Sequence, residues 1–300
     1  MPEIRVATRA SALARAQTGW VRDRITASSG RSTTEVLVTS EGDVSQAALT
    51  SFGGQGVFVT AVREAVVAGV ADVAVHSMKD MPTASDPRTI VAAIPAREDV
   101  RDYLVTHASS LVALSEGATV ATGSPRRAAY LRRSRPDLQI VGIRGNVDSR
   151  VARVDRGDVD AVVVACAGLR RLGLTPPGFA LEIDQMLPAV GQGALAVEMR
   201  GDDGQLADVA TIDDPDSRAA VTAERSLLRG LRAGCAAPVG ALATVTGNAM
   251  ELRAAVVSAD GSQMYECVMS GSVDHAYDIG VQAADELIGQ GAGRLLGENR

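Results

Sequence analysis

The sequence predicts a mixed α/β fold with a smaller α+β part towards the C-terminus. Over residues 1–94, short apolar or β-branched runs alternate with segments of helical period. This alternation is typical of a largely parallel sheet with crossover helices. A second stretch of the same kind covers residues 119–165. From residue 216 onward, three strand-like runs lie between two helical segments, and strands grouped in this way indicate an α+β domain.

The elements follow from local sequence. In the first stretch we predict strands over residues 4–8, 33–39, 71–76 and 90–94, and helices over residues 11–25 and 57–68. In the second we predict strands over residues 119–122, 138–143 and 159–165, and helices over residues 125–133 and 147–156. In the last we predict helices over residues 216–231 and 274–289, and strands over residues 240–246, 251–258 and 263–270.

Two further segments have no clear period. Residues 187–198 contain interrupting Gly and Pro, which indicate a hinge or a crossover between domains. Residues 41–56 end in Gly-Gly-Gln-Gly. A loop of this length is either a lid over a functional site or a plain surface loop.

Composition and charge exclude several classes of protein. The 300 residues are 46% hydrophobic, enough for a large core in two or three domains. No run of about 18 apolar residues occurs, so we predict no membrane span. A net charge of -6 argues against a general nucleic-acid binder. Three widely spaced cysteines predict a reduced, cytoplasmic protein without a disulfide framework, and three isolated histidines predict no metal site.

Basic residues are unevenly distributed and are almost all arginine. Nine arginines lie between Arg126 and Arg156, against three acidic residues, and such a segment in an acidic protein often binds an anionic ligand. Of the 30 basic residues, only Lys79 is a lysine. Either codon bias explains the arginines, or position 79 needs a compact charge on a slim stem where a guanidinium does not fit.

Three predicted helix starts carry arginine, although the positive end of the helix dipole disfavours it. The segments are Thr8-Arg9-Ala10-Ser11, Thr122-Gly123-Ser124-Pro125-Arg126-Arg127 and Arg144-Gly145-Asn146 with Arg150 one turn later. Ser11, Ser124 and Asn146 are suitable caps, and Pro125 suits the first helical position. A bound anion would remove the conflict, since backbone N–H groups and arginines would then face negative charge. Carboxylates suit such a site because arginine binds them through two hydrogen bonds. Phosphates are the alternative, although the sequence has no P-loop pattern and no GxGxxG fingerprint after a strand.

Lys79 and Asp80 follow an apolar strand at its carboxyl end, where α/β folds bind ligands. An adjacent acid and base could move protons or stabilise a cationic intermediate, although Asp80 could equally be a turn residue. Cys166 and Cys267 lie in strand-like runs, whereas Cys235 lies in a Gly- and Pro-containing loop where a thiol can react. These patterns alone do not decide among the three cysteines.

Ten segments together resemble the porphobilinogen deaminase (hydroxymethylbilane synthase) family. They are ATRASALA, GGQGVF, ADVAVHSMKDMPT, EDVRD, TGSPRR, RGNVDSR, AGLRRLG, LPAVGQGA, TAER and AGCAAPVG, in this order from Ile4 towards the C-terminal helix. The resemblance implies two lobes like those of periplasmic binding proteins and a third small α+β domain. The implied boundaries are residues 1–94 plus 193–213 for domain 1, residues 95–192 for domain 2, and residues 214–300 for domain 3.

The resemblance also implies an activity. A transferase of tetrapyrrole (haem) biosynthesis would condense four porphobilinogen units head to tail with loss of ammonia. It would do so on a dipyrromethane cofactor held by a thioether, and release hydroxymethylbilane. The implied protein is a cytoplasmic monomer whose partner is the small molecule porphobilinogen, with no nucleic acid and no membrane.

Roles are implied residue by residue. The catalytic residues would be Asp80, Arg9 and Lys79. The cofactor would be bound by Cys235, Lys79, Asp80, Thr122, Ser124, Arg126, Arg127, Arg144 and Gly145. The substrate would be bound by Arg9, Ser11, Arg144, Arg150 and Arg171.

Two departures from the family pattern are visible. Where many members carry lysines in and before the GGxG loop, this chain has Ser51 and Gln55. Around the cysteine, the frequent Gly-Gly-Cys-Gln is Ala-Gly-Cys-Ala, which keeps the thiol and its preceding glycine. The rival interpretation is a non-catalytic two-lobed module that binds an anion. Such a module would need neither Cys235 nor the Lys79–Asp80 pair.

Overall fold

The computed structural model describes residues 3–39, 57–234 and 236–297. Its strands are β1 (Ile4–Arg9), β2 (Thr33–Val38), β3 (Val73–Ser77), β4 (Ile90–Ala93), β5 (Asp102–Thr106), β6 (Thr119–Ala121), β7 (Gln139–Val141), β8 (Ala161–Ala165), β9 (Gly178–Leu181), β10 (Leu195–Met199), β11 (Val239–Thr246), β12 (Ala249–Val257) and β13 (Met264–Ser272). Its helices are α1 (Ala12–Ser29), α2 (Val57–Val67), α3 (Pro125–Ser134), α4 (Val147–Asp155), α5 (Cys166–Leu172), α6 (Leu206–Ala210), α7 (Pro215–Gly230), α8 (Ala276–Gln290) and α9 (Gly293–Gly297).

The chain forms two compact units. Unit 1 consists of Met1–Arg97 and Ala194–Arg218, and unit 2 consists of Glu98–Gly193 and Ala219–Arg300. The passage from unit 2 back to unit 1 therefore falls within residues 187–198, where Gly and Pro indicated a hinge or crossover. The further division of unit 2 into two domains stays a prediction.

Unit 1 contains a five-stranded sheet in the order β2-β1-β3-β10-β4. β1 is parallel to β2 and β3, whereas β10 is antiparallel to both of its neighbours. Ile4, Val21 and Val197 are fully buried in the core of this unit. Helix α1 begins where its sequence predicts, because the Ser11 side chain accepts a hydrogen bond from the Ala14 N–H.

Unit 2 contains a second sheet with the same layout, in the order β7-β6-β8-β5-β9. β6 is parallel to β7 and β8, and β5 is antiparallel to β8 and β9. Each five-stranded sheet thus has one reversed strand in the fourth place, and in each case that strand follows a passage of the chain between the units.

The rest of unit 2 is a three-stranded antiparallel sheet, β11-β12-β13, with helices α7 and α8. Leu227, Leu252 and Leu287 are fully buried between them. The two helices approach closely at Gly280, where a Cβ atom would lie 2.1 Å from the Ala223 carbonyl oxygen. The predicted α/β class with a small C-terminal α+β part is confirmed. No helix in the described ranges is long and apolar enough to cross a membrane.

Candidate functional site

Unit 1 brings the Arg9 and Lys79–Asp80 segments to one edge of its sheet. β1 and β3 are adjacent and parallel, with Val6 opposite Val73, so their carboxyl ends meet at the same edge. Arg9 ends β1 and Ser11 caps α1, while Lys79 and Asp80 follow β3. The edge lies where the chain order reverses on either side of β1, which is where open α/β sheets bind ligands.

The Lys79–Asp80 pair lies in a short 3-10 turn, Met78–Asp80. Met78 is buried, and its N–H donates to the Ala194 carbonyl oxygen at 3.0 Å. Anchored in this way, the turn leaves Lys79 half-buried and Asp80 exposed. The end of β3 is also tied to α1, since Gln17 Nε2 donates to Ser77 Oγ at 2.9 Å.

A buried polar cluster in unit 1 was missed from the sequence. Glu198 accepts hydrogen bonds from Arg63 Nε at 2.8 Å and Thr89 Oγ1 at 2.6 Å, and lies 2.9 Å from His76 Nε2. Burial raises the pKa of Glu198, but the bonds from His76 and Thr89 and the charge of Arg63 outweigh it, so the pKa is lowered. A glutamate at position 198, within an otherwise apolar run, was the sequence feature that could have indicated this cluster.

In unit 2, the carboxyl ends of β6, β7 and β8 meet at one edge, because β6 is parallel to both neighbours. Thr122 and Ser124 follow β6. Thr122 Oγ1 accepts a hydrogen bond from the Ser124 N–H at 3.1 Å. Ser124 caps α3 with its side chain, and Pro125 is the first helical residue, as the sequence predicts.

Arg126 and Arg127 point inward, at a carboxylate of the protein itself. Asp102 is fully buried, and it accepts hydrogen bonds from Arg126 Nη2 at 2.7 Å and from Arg127 Nε and Nη2 at 2.9 and 2.7 Å. Arg126 Nη1 donates to the Leu187 carbonyl and Arg127 Nη1 to the Val163 carbonyl. Burial raises the pKa of Asp102, but the two arginines reverse that effect and hold the pKa well below its usual range.

One donor of this pair is unused. Arg126 Nε is buried and has no hydrogen-bond partner among the described residues. Leaving a buried donor unsatisfied costs about 1–3 kcal/mol, so such an atom calls for an explanation. Asp102 therefore only partly offsets the unfavourable placement of two arginines at the positive end of the α3 dipole.

The Arg144–Asn146 segment follows β7 and precedes α4. Arg144 is exposed, and Arg150 Nε donates to the Gly145 carbonyl oxygen at 2.8 Å. Gly145 has a φ of 106°, a conformation that favours glycine. Asn146 occupies the cap position, but its side chain makes no capping bond.

Arg171 lies at the end of α5, the helix that follows β8. Its Nη2 donates to the Gly193 carbonyl oxygen at 2.7 Å. Burial lowers the pKa of Arg171 to about 10, so the side chain stays charged at neutral pH.

Most of the arginine-rich segment serves the structure of unit 2. Besides Arg126, Arg127 and Arg150, five more of its nine arginines bond to carbonyls or carboxylates: Arg132, Arg133, Arg135, Arg153 and Arg156. The anionic ligand expected at this segment stays a prediction. Sequence alone does not distinguish a guanidinium that faces outward from one that bonds to its own fold.

Two cysteines are unreactive by environment. Cys166 begins α5 and is buried, and Cys267 on β13 is partly buried. Burial raises the pKa of each thiol to about 11, so both are protonated at neutral pH. Cys235 lies outside the described residues, as do Ser51, Gln55 and the rest of residues 41–56. Among described residues, no group of three or more His, Cys, Asp or Glu side chains could hold a metal ion.

Nearly the whole chain is similar in sequence to known proteins. Residues 4–208 match the family model of the porphobilinogen deaminase dipyrromethane cofactor binding domain, and residues 218–289 match that of the porphobilinogen deaminase C-terminal domain. Porphobilinogen deaminase 1 of Streptomyces coelicolor is 47% identical over 98% of both chains. Porphobilinogen deaminase of Mycobacterium tuberculosis is 50% identical, again over 98% of both chains.

A solved structure of a periplasmic substrate-binding protein from Coxiella burnetii covers 74% of this chain and 96% of its own, at 16% identity and a TM-score of 0.43. The two family models, and relatives that are 47% and 50% identical over nearly the whole chain, show that the chain belongs to the porphobilinogen deaminase family.

Proposed function

We propose that this transferase condenses four porphobilinogen units head to tail, with loss of ammonia, on a dipyrromethane cofactor joined to Cys235 by a thioether, and releases hydroxymethylbilane. We further propose that it works in the cytoplasm as a monomer, without nucleic acid or membrane partners. Family membership supports the overall reaction. The assignment of individual residues rests on the geometry of the two sheet edges.

The environments of the cysteines support Cys235 as the point of attachment. A thioether forms from a thiolate, and the pKa of about 11 at Cys166 and Cys267 leaves only about one thiol in ten thousand ionised at pH 7. Both are therefore poor nucleophiles. Cys235, between Gly234 and the Ala236-Ala237-Pro238 segment, is the remaining cysteine.

The residues of unit 2 fit a cofactor that carries carboxylates. Arg126 Nε is a buried donor without a hydrogen-bond partner among the described residues, beside a guanidinium pair whose charge exceeds that of Asp102. Helix α3 also has no acidic residue in its first turn, so its N-terminus keeps its positive character. We propose that Thr122, Ser124, Arg126, Arg127, Arg144 and Gly145 hold the cofactor. When bound, the cofactor supplies the pyrrole carbon to which substrate units are joined.

We assign the chemical step to the unit 1 edge. Departure of ammonia from the aminomethyl group of porphobilinogen leaves a positively charged pyrrole. The Asp80 carboxylate, exposed next to the half-buried Lys79, can stabilise that charge and accept the proton released when the new carbon–carbon bond forms. Lys79 and Arg9 would hold carboxylates of the reacting units in register.

The acetate and propionate groups of the substrate need cationic or hydrogen-bonding partners. We propose Arg9, Ser11, Arg144, Arg150 and Arg171 for this role. Arg171 can combine a structural role with substrate binding. It donates to the Gly193 carbonyl oxygen with Nη2, yet its guanidinium remains charged and partly exposed.

Intact-mass measurement tests the proposal most directly. Purified protein is expected to exceed its polypeptide mass by two pyrrole units, and Cys235→Ser is expected to lose the excess. Cys166→Ser and Cys267→Ser are matched controls that should keep it. A bare polypeptide mass in active protein would refute the thioether.

Asp80→Ala tests the chemical step. Because Asp80 is exposed, the variant should fold normally and lose most of its turnover. Turnover close to that of the unaltered protein would remove Asp80 from the mechanism.

A further inference from the structure

The centre of the Arg126–Arg127 arrangement is Asp102 at the start of β5, a residue to which the sequence analysis assigned no role. Its two carboxylate oxygens accept from both guanidiniums and, through Oδ1, from Gln192 Nε2 at 2.9 Å. Gln192 also donates to the Val100 carbonyl oxygen. All four side chains are at least nine-tenths buried.

The charges of this cluster do not balance. Asp102 contributes one negative charge and the two arginines contribute two positive charges, so one buried positive charge remains. The Arg126 Nε donor without a partner among the described residues is on the same guanidinium pair. Buried charges persist when they are paired, and one further anion would balance the charge of this cluster.

We propose that Asp102 is the positioning residue of the cofactor site, holding the Arg126 and Arg127 guanidiniums so that one carboxylate of the cofactor completes the cluster. The inference rests on the proposed function, because the proposed anion is the dipyrromethane carboxylate. Asp102 itself does not touch the cofactor; it acts through the two arginines.

The geometry explains why a carboxylate is needed at position 102. Arg126 and Arg127 are consecutive residues in the first turn of α3, where the helix dipole and their mutual repulsion both disfavour buried cations. The pKa of Arg127 reflects this unfavourable environment, since burial and the neighbouring Arg126 lower it despite the contact with Asp102. An uncharged side chain of the same shape would leave two repelling guanidiniums without a fixed orientation.

The test compares Asp102→Asn with Asp72→Asn. Asp72 is also a buried carboxylate bound twice by an arginine, Arg5 at 3.2 and 2.7 Å, but it lies at the opposite end of β3 from Lys79. For protein shown to be folded by circular dichroism, intact mass gives the fraction that carries the covalent excess. We expect that fraction to fall about tenfold or more in Asp102→Asn, as for a truncated buried charge pair, and to be unchanged in Asp72→Asn.

Other outcomes would overturn either the positioning role of Asp102 or the proposed function. Folded Asp102→Asn with full occupancy, or an equal loss in both variants, would overturn the positioning role. If the unaltered protein carries no covalent excess, the proposed function fails instead, so the two failures are distinguishable.

If Asp102→Asn does not fold, Gln192→Met takes its place, because methionine fills similar space without donating to Asp102 Oδ1. Protein produced without porphobilinogen would be supplied with it, and the growth of the mass excess followed. We expect loading to slow about fivefold, the equivalent of one hydrogen bond. An unchanged rate would overturn the proposal.

Discussion

Replacing Gly145 by alanine should disturb the proposed cofactor site by a calculable amount. Gly145 has a φ of 106°, and an added Cβ atom would lie 2.6 Å from Ser149 Oγ. The backbone strain of a residue with a side chain there costs about 1–3 kcal/mol. Moving Ser149 Oγ breaks its 2.8 Å bond to the Asn146 carbonyl oxygen, which adds about 1 kcal/mol. We therefore expect the free energy of unfolding to fall by about 3 kcal/mol.

Gly157 provides the matched control at the other end of α4. Its φ of 71° is also in the left-handed region, but its Cβ atom would meet nothing within 4 Å. Gly157→Ala should cost about 1 kcal/mol, with unaltered cofactor occupancy. Adding Ser149→Ala to Gly145→Ala should recover part of the loss, because the clashing oxygen is gone.

Urea unfolding and intact mass together measure both effects. Because Gly145 lies between Arg144 and the α4 N-terminus, its variant should also lower the fraction of protein that carries the cofactor. If Gly145→Ala were as stable and as fully loaded as Gly157→Ala, the close contact with Ser149 would have no role in shaping the site.

Three further predictions concern other parts of the molecule. Lys79→Arg should lower turnover about tenfold or more with an unchanged fold; unaltered kinetics would mean that codon bias explains the arginine excess. In Cys235→Ser, a thiol reagent at pH 7 should label Cys166 and Cys267 only after unfolding, because burial holds both thiols protonated. Rapid labelling of native protein would contradict their exclusion as attachment points for the cofactor. The lowered pKa of Glu198 stabilises the fold above its unfolded pKa of about 4.5, and this contribution is lost as the pH falls through the lower folded value. Stability should therefore decline less steeply in acid for Glu198→Gln than for the unaltered protein, and parallel pH profiles would refute the assignment.

The sequence predicts the helices of this protein better than its shorter strands. The caps at Ser11 and Ser124 and the proline at position 125 are local signals, and both helices begin there. Strands β5, β9 and β10 were not predicted. β9 begins with Gly178, and β10 begins within residues 187–198, the Gly- and Pro-containing segment predicted to be a hinge or a crossover. Their pairing depends on partners far away in sequence, which local pattern does not reveal.

The candidate site was predictable in its segments but not in the direction of its side chains. Strand ends explain why Arg9 and Lys79 share an edge. No local pattern indicates that Arg126 and Arg127 face Asp102, because that carboxylate lies 24 residues from Arg126 along the chain. The same limit applies to Glu198 and His76, which are 122 residues apart.

Strand β10, the reversed strand of unit 1, is synthesised about a hundred residues after its neighbours β3 and β4. Among the described strands, β4 hydrogen-bonds to β10 alone, and β10 fills the place beside β3. A ribosome therefore completes residues 98–193 before the strand that joins β4 to its sheet exists. Until Leu195 has emerged, one edge of β3 and one edge of β4 lack their native neighbour β10, and exposed strand edges of this kind invite aggregation. These edges stay unpaired while residues 98–193 are being made, so aggregation through the unit 1 sheet is favoured during that interval rather than later.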